Sequence, residues 1–260
     1  MIGPNRNGGD GRGRASAVGA YGLFVASGGL GAGSLLLFVV VLFAGPLGIV
    51  DLNLDTGVAL ALNAVLSLGF FLQHSVMTRS SFRNRFCRRV REEFHGAVYS
   101  MMSGIALLVV LVMWQGPTES LFAAPEPLRW CLRGLFVLSL LGFAWGARAL
   151  GPFDGLGLRA IRRHLRDEKS REPRFAVRGL YRWVRHPLYF FALVLFWTYP
   201  EVTADRLLFN VLWTAWVFVG TVLEERDLVE TFGEPYREYQ RRVPMLLPSR
   251  LFPSWPKKTT

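Results

Sequence analysis

The chain has 260 residues, of which 51% are hydrophobic, and its 30 basic and 19 acidic residues give a net charge of +11. A mean hydropathy of +0.28 excludes an ordinary soluble domain. The basic residues fall between apolar runs and do not form one polar face, which argues against a nucleic-acid-binding protein. We therefore predict a single polytopic membrane unit.

Residues 1–14, rich in glycine, asparagine and arginine, predict a disordered cytoplasmic tail. Residues 15–150 predict a four-helix transmembrane portion, because its apolar runs approach or exceed the roughly 20 residues that a spanning helix needs. These runs are residues 15–50, 56–77, 94–118 and 128–150. Residues 187–200 and 207–223 then predict a helical hairpin as the last two passes. The predicted fold class is an all-α, polytopic integral membrane helical bundle with about six passes.

The basic residues also predict the orientation of the chain. Arginines cluster in residues 79–91 and 159–182, whereas residues 51–55 and 115–127 contain no lysine or arginine. By the positive-inside rule the arginine-rich connections and both termini are cytoplasmic, as in a bacterial-type inner membrane protein. Residues 151–260 are accordingly predicted to comprise a cytoplasmic loop, the helical hairpin and a C-terminal tail.

Other features of the chain predict no chemistry of their own. Residues 78–93 combine arginines with an apolar residue every fourth position, which is typical of an amphipathic helix on an anionic lipid surface. Cys87 and Cys131 are predicted at opposite ends of the bundle, so no disulfide is expected. Neither cysteine has a metal-ligand neighbour at useful spacing, and no metal site is expected.

The strongest candidate site lies at the hairpin. Arg185-His186-Pro187-Leu188-Tyr189 begins the fifth pass, and Glu224 and Glu225 end the sixth. Proline favours the first position of a helix, which leaves His186 as the cap and the N–H groups of the first turn available to an anion. Two interpretations stay open here. The residues either form an interfacial anchor with a salt bridge that closes the hairpin, or line a cytoplasm-facing pocket for a zwitterionic, aromatic ligand such as an amino-acid-bearing nucleoside.

Several spaced motifs resemble the C-terminal signature of the isoprenylcysteine carboxyl methyltransferase superfamily of integral membrane methyltransferases. They are Gly179-Leu180-Tyr181, Arg185-His186-Pro187-Leu188-Tyr189, Glu224-Glu225-Arg226, Phe232-Gly233-Glu234-Pro235-Tyr236 and Val243-Pro244-Met245-Leu246-Leu247-Pro248. The resemblance implies that the segment binds S-adenosylmethionine. Carried over by position, it implies donor contacts from Tyr181, His186, Pro187, Leu188, Tyr189 and Glu225, with Pro173, Arg174, Phe175 and Ala176 contributing from the preceding loop.

The first half of the chain is most similar to the methanethiol S-methyltransferase branch. Its matching segments begin at Gln73-His74-Ser75, Trp114-Gln115-Gly116 and Phe153-Asp154. This branch implies methyl transfer to a small thiol such as methanethiol, giving dimethyl sulfide. The chain departs from the branch at Phe94-His95-Gly96, where Glu-Arg-Ser is usual. It also has Gly220 where prenylcysteine enzymes are expected to carry an arginine for the substrate carboxylate.

Two catalytic roles are predicted. Arg185 would supply a positive field that favours the thiolate form of the acceptor. His74 would either form a helix–helix hydrogen bond or orient and deprotonate the thiol, and Asp154 would either pair with a loop arginine or touch substrate.

The expected partners are a small thiol or another lipid-soluble substrate and membrane lipids, without nucleic acid or an obligate protein partner. Methylation of a lipid headgroup or of a prenylcysteine-like carboxylate is the alternative activity, and a non-catalytic membrane protein with the same fold is the third hypothesis.

Overall fold

The fold is that of a computed structural model, in which 75% of the described residues are helical. The structure describes residues 10–79, 82, 85, 90–116, 119–150, 154–166, 168, 175–249 and 255, and for residues 10–18 it describes the backbone alone. The predicted amphipathic helix at residues 78–93 falls mostly outside this part of the chain, as do Cys87, Pro173 and Arg174.

The described residues form the following α-helices in chain order. They are α1 (Asp10–Ser27), α2 (Gly33–Ala44), α3 (Thr56–Thr78), α4 (His95–Met113), α5 (Glu126–Ala149), α6 (Leu158–Leu165), α7 (Pro187–Trp197), α8 (Ala204–Phe232) and α9 (Glu234–Arg242). A π-helical segment (Gly28–Ala32) joins α1 to α2, and 3₁₀ turns occupy Glu92–Phe94 and Gly179–Arg182. Helix α1 begins at Asp10, inside the range assigned from sequence to the N-terminal tail.

Among the described residues, five helices are long and apolar enough to cross a membrane. They are Gly19–Ala44, Thr56–Thr78, Glu92–Met113, Glu126–Ala149 and Ala204–Phe232. The prediction of a helical membrane bundle is therefore confirmed, and the chain is a multi-pass membrane protein. Helix α7 is shorter, because its 11 residues extend about 16 Å at 1.5 Å per residue.

The chain forms two compact units. The first comprises Met1–Val39, Gly69–Val110 and Asp154–Arg171. Its core contains Ile161, which is completely buried with Ala20 and Ala97. Helix α6 thus packs on α1 and on the residues that begin the membrane-crossing helix Glu92–Met113.

The second unit comprises Val40–Leu68, Leu111–Phe153 and Glu172–Thr260. Helices α5 and α7 pack closely and antiparallel within it. A Cβ atom at Gly146 would lie 3.0 Å from Leu188, and one at Gly142 would lie 2.3 Å from the Phe191 ring. The two glycines therefore let the helices approach where a larger side chain would push them apart.

A short antiparallel pair of strands, which the sequence did not predict, closes one end of this unit. Strand β1 (Ser120–Ala123) precedes α5 and pairs with β2 (Glu201–Thr203), which joins α7 to α8. Ala124 N–H also donates to the carbonyl of Pro200 over 2.8 Å. The pairing holds the far end of the α7–α8 hairpin against the segment that leads into α5.

At the same end, side chains from three elements satisfy the last carbonyl groups of α2. Arg206 donates to Leu42 over 3.1 Å, Tyr199 donates to Ala44 over 3.3 Å and Arg133 donates to Phe43. The carbonyl groups in the last turn of a helix have no partner within that helix. These contacts supply partners from elsewhere in the second unit.

Candidate functional site

The hairpin brings the two glutamates of α8 to the start of α7, which confirms the predicted juxtaposition. Glu225 accepts both parallel N–H groups of Arg185, at 2.5 Å from Nε and 2.8 Å from Nη2. It also accepts from Gln240 Nε2 over 2.8 Å and from Tyr236 Oη over 3.3 Å, and His186 Nε2 lies 3.0 Å from Oε1. The predicted salt bridge that closes the hairpin is thus formed by Arg185, with the side chains of both partners 10% exposed.

The C-terminal segment fixes the position of this ion pair. The backbone N–H groups of Arg185 and His186 donate to the carbonyls of Pro244 and Met245, over 2.9 Å and 3.1 Å. Nη1 of Arg185 donates to the carbonyl of Gln240 over 3.0 Å and also to that of Val243. A bidentate guanidinium–carboxylate pair held in this way is geometrically specific, and it leaves little of either charge available to a ligand.

Glu224, the neighbouring carboxylate, has different surroundings. Its side chain is 43% exposed, and it accepts a hydrogen bond from Tyr189 Oη over 2.6 Å. His186 Nδ1 lies 4.0 Å from the same carboxylate oxygen, and the His186 and Tyr189 rings stack with centroids 5.5 Å apart. Because Arg185 and Glu225 offset each other, Glu224 gives this face a negative charge that solvent or a ligand can reach.

The predicted donor contacts on α7 divide between two faces of the helix. His186 and Tyr189 face α8, as their contacts with Glu225 and Glu224 require. Pro187 and Leu188 instead lie against Gly146 of α5. Pro187 also lines an apolar cavity of about 290 Å³. The residues around this cavity are Trp145, Leu180, Trp183, Val184, Pro187, Phe190, Phe191 and Pro248.

Tyrosines from α9 and from the segment before α7 pack next to the network of side chains around Glu225. Tyr239 donates to the carbonyl of Tyr181 over 2.5 Å, and Phe175 packs against the rings of Tyr236 and Tyr239. Burial raises the pKa of Tyr236, and the nearby Glu225 charge raises it further. Burial likewise raises the pKa of Tyr239 and of Tyr181, the latter with a contribution from the Glu224 charge. These phenols therefore remain protonated donors at neutral pH.

The remaining predicted residues are an exposed position, residues of the first unit, or residues outside the part of the chain that the structure describes. Ala176 is exposed next to Phe175, while Pro173 and Arg174 belong to the residues that the structure does not describe. His74 belongs to the first unit, where Tyr99 Oη of α4 lies 2.7 Å from its Nε2 atom. This is the helix–helix hydrogen bond that one of the two interpretations expected. A role for His74 toward a thiol stays a prediction.

Asp154 has a structural role in the first unit. Its Oδ2 atom accepts the backbone N–H of Ala160 over 2.9 Å, and its carbonyl accepts that of Gly157 over 3.1 Å. Asp154 therefore satisfies N–H groups at the start of α6.

Comparisons with known proteins identify the family. The family described as "Protein of unknown function (DUF1295)" matches residues 159–243. Methanethiol S-methyltransferase 1 of Bradyrhizobium diazoefficiens is 33% identical over 230 residues, covering 83% of this chain and 79% of the relative. Methanethiol S-methyltransferase of Mycobacterium tuberculosis is 34% identical over 205 residues, covering 78% of this chain and 82% of the relative.

The chain belongs to the methanethiol S-methyltransferase family. The wider resemblance is confirmed as well, because Protein-S-isoprenylcysteine O-methyltransferase of Xenopus laevis is 34% identical over 92 residues, 32% of this chain and 30% of the relative. No solved structure matches the chain. Membership of the methanethiol S-methyltransferase family makes this chain a membrane methyltransferase.

Sequence reasoning assigned the ligand contact in this family member to Glu225 and treated Glu224 as its neighbour. The structure gives Glu225 five polar contacts within the protein and leaves Glu224 the more accessible carboxylate. Gln240, a member of the network, was not predicted. Its spacing of four residues from Tyr236 on α9 was the available signal, because such positions share one face of a helix.

Proposed function

We propose that this chain transfers the methyl group of S-adenosylmethionine to a small thiol such as methanethiol. The observation that carries the proposal is the accessible Glu224–Tyr189 pair next to the buried Arg185–Glu225 ion pair. An apolar cavity lies on the other face of α7, toward α5. The names of the relatives, which align over more than three quarters of this chain, support the reaction class.

The residues at the hairpin fit a donor that carries both charges and an aromatic base. Glu224 would hold a positively charged group, since its carboxylate is accessible and has a hydroxyl partner in Tyr189. The start of α7 at Pro187 would favour the donor carboxylate, because the N-terminus of a helix carries partial positive charge. When bound, the sulfonium of the donor supplies an electrophilic methyl group.

The apolar cavity supports an uncharged, lipid-soluble acceptor. Its lining residues contribute aromatic rings, prolines and aliphatic side chains. A thiol that partitions into lipid could enter such a space without losing favourable hydration. The lining surface is apolar, and exclusion of water from such a space would strengthen electrostatic interactions near it.

The protein residues would accelerate the transfer mainly by positioning. Attack of a thiolate on a sulfonium-bound methyl group cancels charge, so a site that excludes water favours it, and alignment at near-attack distance can supply several kcal/mol. Arg185 would act on the acceptor only indirectly, since Glu225 already offsets its charge. The predicted catalytic role of Arg185 is therefore better tested as a positioning role.

The activity is tested in cells that express the chain and are fed methanethiol. Headspace gas chromatography is expected to detect dimethyl sulfide well above an empty-vector control. A matched Glu224→Gln strain should express equal amounts of protein and form at least tenfold less product. Absence of dimethyl sulfide from wild-type cells would overturn the small-thiol assignment.

Donor binding is tested separately on detergent-purified protein by calorimetry. S-adenosylmethionine and S-adenosylhomocysteine are both expected to bind, and Glu224→Gln is expected to weaken binding by at least tenfold. Binding without dimethyl sulfide formation would direct attention to a lipid headgroup acceptor. Failure of both ligands to bind would favour a non-catalytic membrane protein. If Glu225→Gln, folded to the same degree, lost binding while Glu224→Gln kept it, the original assignment to Glu225 would stand.

A further inference from the structure

Helix α6 packs at a fixed position along the membrane-crossing helices of the first compact unit. Its completely buried residue, Ile161, packs with Ala20 and Ala97, and Phe24 and Phe94 surround them. Phe94 and Ala97 lie at the start of the membrane-crossing helix Glu92–Met113, and Ala20 and Phe24 lie in α1. Because α6 packs on the start of the Glu92–Met113 span, it lies at a boundary between lipid and water.

Backbone contacts hold α6 tightly at this position. Gly157, the residue before the helix, approaches α4 so closely that a Cβ atom there would lie 2.1 Å from the backbone nitrogen of Ala97. Ser27 Oγ donates to the carbonyl of Leu156 over 2.6 Å. These contacts fix the entry to α6 against both neighbouring spans, so the face of the helix that points away from them is also fixed.

That outer face is basic. Arg159, Arg162 and Arg166 are exposed and lie three and four residues apart, a spacing that places them on one side of a helix. The Arg162 guanidinium lies at the edge of this face, 6.0 Å from the centroid of the Phe24 ring. Within the described residues, no carboxylate lies at ion-pair distance from Arg159 or Arg162. Arg166 has one exposed partner, Glu168, at 3.8 Å. The nearby Asp154 caps the helix, and Glu93 lies 3.6 Å from His164 and 3.4 Å from Arg91.

We propose that the outer face of α6, formed by Arg159, Arg162 and Arg166, binds the phosphate groups of anionic lipids. Its depth at the start of the Glu92–Met113 span places these guanidinium groups where lipid headgroups lie, and their positive charge is complementary to an anionic leaflet. Guanidinium groups pair with phosphate oxygens through two parallel N–H donors, so arginine is well suited to this contact.

The chain offers a matched control on another helix. Arg237, Arg241 and Arg242 of α9 are also exposed, but each has a carboxylate partner. Arg237 and Arg241 pair with Glu234 at 3.8 Å and 2.7 Å, and Arg242 pairs with Glu238 at 2.6 Å. Replacing three arginines by glutamine in either helix changes the net charge equally.

The test is native mass spectrometry of the detergent-purified full chain titrated with short-chain phosphatidylglycerol or phosphatidylcholine. Wild type and the R237Q/R241Q/R242Q control are expected to bind phosphatidylglycerol at least tenfold more tightly than phosphatidylcholine. R159Q/R162Q/R166Q is expected to lose this preference while keeping its circular dichroism and elution volume. Equal loss in the two triple variants, or no loss in either, would overturn the proposal.

Competition distinguishes a lipid from a soluble anion. Inorganic phosphate and a single-stranded oligonucleotide are added at the concentration that saturates phosphatidylglycerol binding. Neither is expected to displace the lipid by more than a small fraction. Full displacement by either would assign the face to soluble polyanions and overturn the lipid assignment.

Discussion

Adjacent residues Glu224 and Glu225 perform separate tasks because successive positions on a helix point in different directions. Glu225 faces the start of α7 and the α9 helix, where Arg185, His186, Tyr236 and Gln240 surround it. Glu224 points to the accessible side, with Tyr189 as its partner. One carboxylate thus holds the hairpin together, and its neighbour remains available to a ligand.

Glu225→Gln should destabilise the protein far more than Glu224→Gln. The amide would leave the buried guanidinium of Arg185 without its counter-charge, and breaking a buried ion pair costs about 3–5 kcal/mol. At Glu224 the loss should be about 1 kcal/mol or less, because the side chain is 43% exposed. Denaturant unfolding in detergent measures the free energy of unfolding of both variants. Equal destabilisation by the two variants would mean that the Glu225 network is not a main source of stability.

The buried tyrosines predict a loss of stability at alkaline pH. Burial raises the pKa of Tyr236 and of Tyr239 in the folded protein, whereas an unfolded phenol titrates at about 10. Their contribution is therefore fully present below about pH 10 and declines as pH rises toward the folded pKa. The slope is at most about 1.4 kcal/mol per pH unit for each tyrosine.

Thermal unfolding between about pH 8 and 11 tests this expectation. The double variant Y236F/Y239F, which cannot ionise at these positions, should show a shallower decline than wild type. A parallel decline in both proteins would assign the alkaline sensitivity to other groups.

At the scale of elements, the apolar runs predicted the bounds of α3 and α5 to within two residues, because membrane helices need continuous apolar sequence. Helix α3, expected at residues 56–77, spans Thr56–Thr78, and α5, expected at 128–150, spans Glu126–Ala149. The pairing of β1 with β2 could not be predicted, since strands of four and three residues carry too little pattern. The partners of Glu225 were only partly predictable, because their contacts depend on how α9 turns back after Gly233.

Replacement of Gly157 by alanine tests whether the start of α6 is held closely against α4. Gly157 has φ of +69°, and a Cβ atom would lie 2.1 Å from the Ala97 nitrogen, whereas Gly48 has φ of +60° with nothing within 4 Å. Gly48→Ala should therefore cost only the backbone strain, about 1–2 kcal/mol. Gly157→Ala should cost a further 1–3 kcal/mol or so, because backbone atoms must shift.

Unfolding free energies of the two glycine variants, measured in the same detergent, give the comparison. Native mass spectrometry adds a second readout, since a displaced α6 should also weaken its preference for phosphatidylglycerol. Similar free energies for the two variants would mean that α6 is not fixed against α4 in the way that the contacts indicate.

At the scale of the whole molecule, the pairing of β1 with β2 helps to decide whether α7 counts as a membrane crossing. Strands β1 and β2 are hydrogen-bonded, so the start of α5 and the end of α7 lie at the same end of the second unit. Helix α5 leads away from this end, and the antiparallel α7 returns to it. This arrangement supports α7 as a crossing segment although it extends only about 16 Å. Its first residue, and with it His186, would then lie below the membrane surface.

Cysteine labelling in cells tests the six-pass arrangement. In a background with Cys87 and Cys131 replaced by serine, Ser120→Cys on β1 should react with a membrane-impermeant maleimide in intact cells. Arg237→Cys on α9 should react only after permeabilisation, because α8 separates it from the strand pair and the arginine-rich segments favour the cytoplasmic side. Reaction of both residues from the same side would contradict a crossing by α8. Reaction of Arg237→Cys alone in intact cells would reverse the predicted orientation.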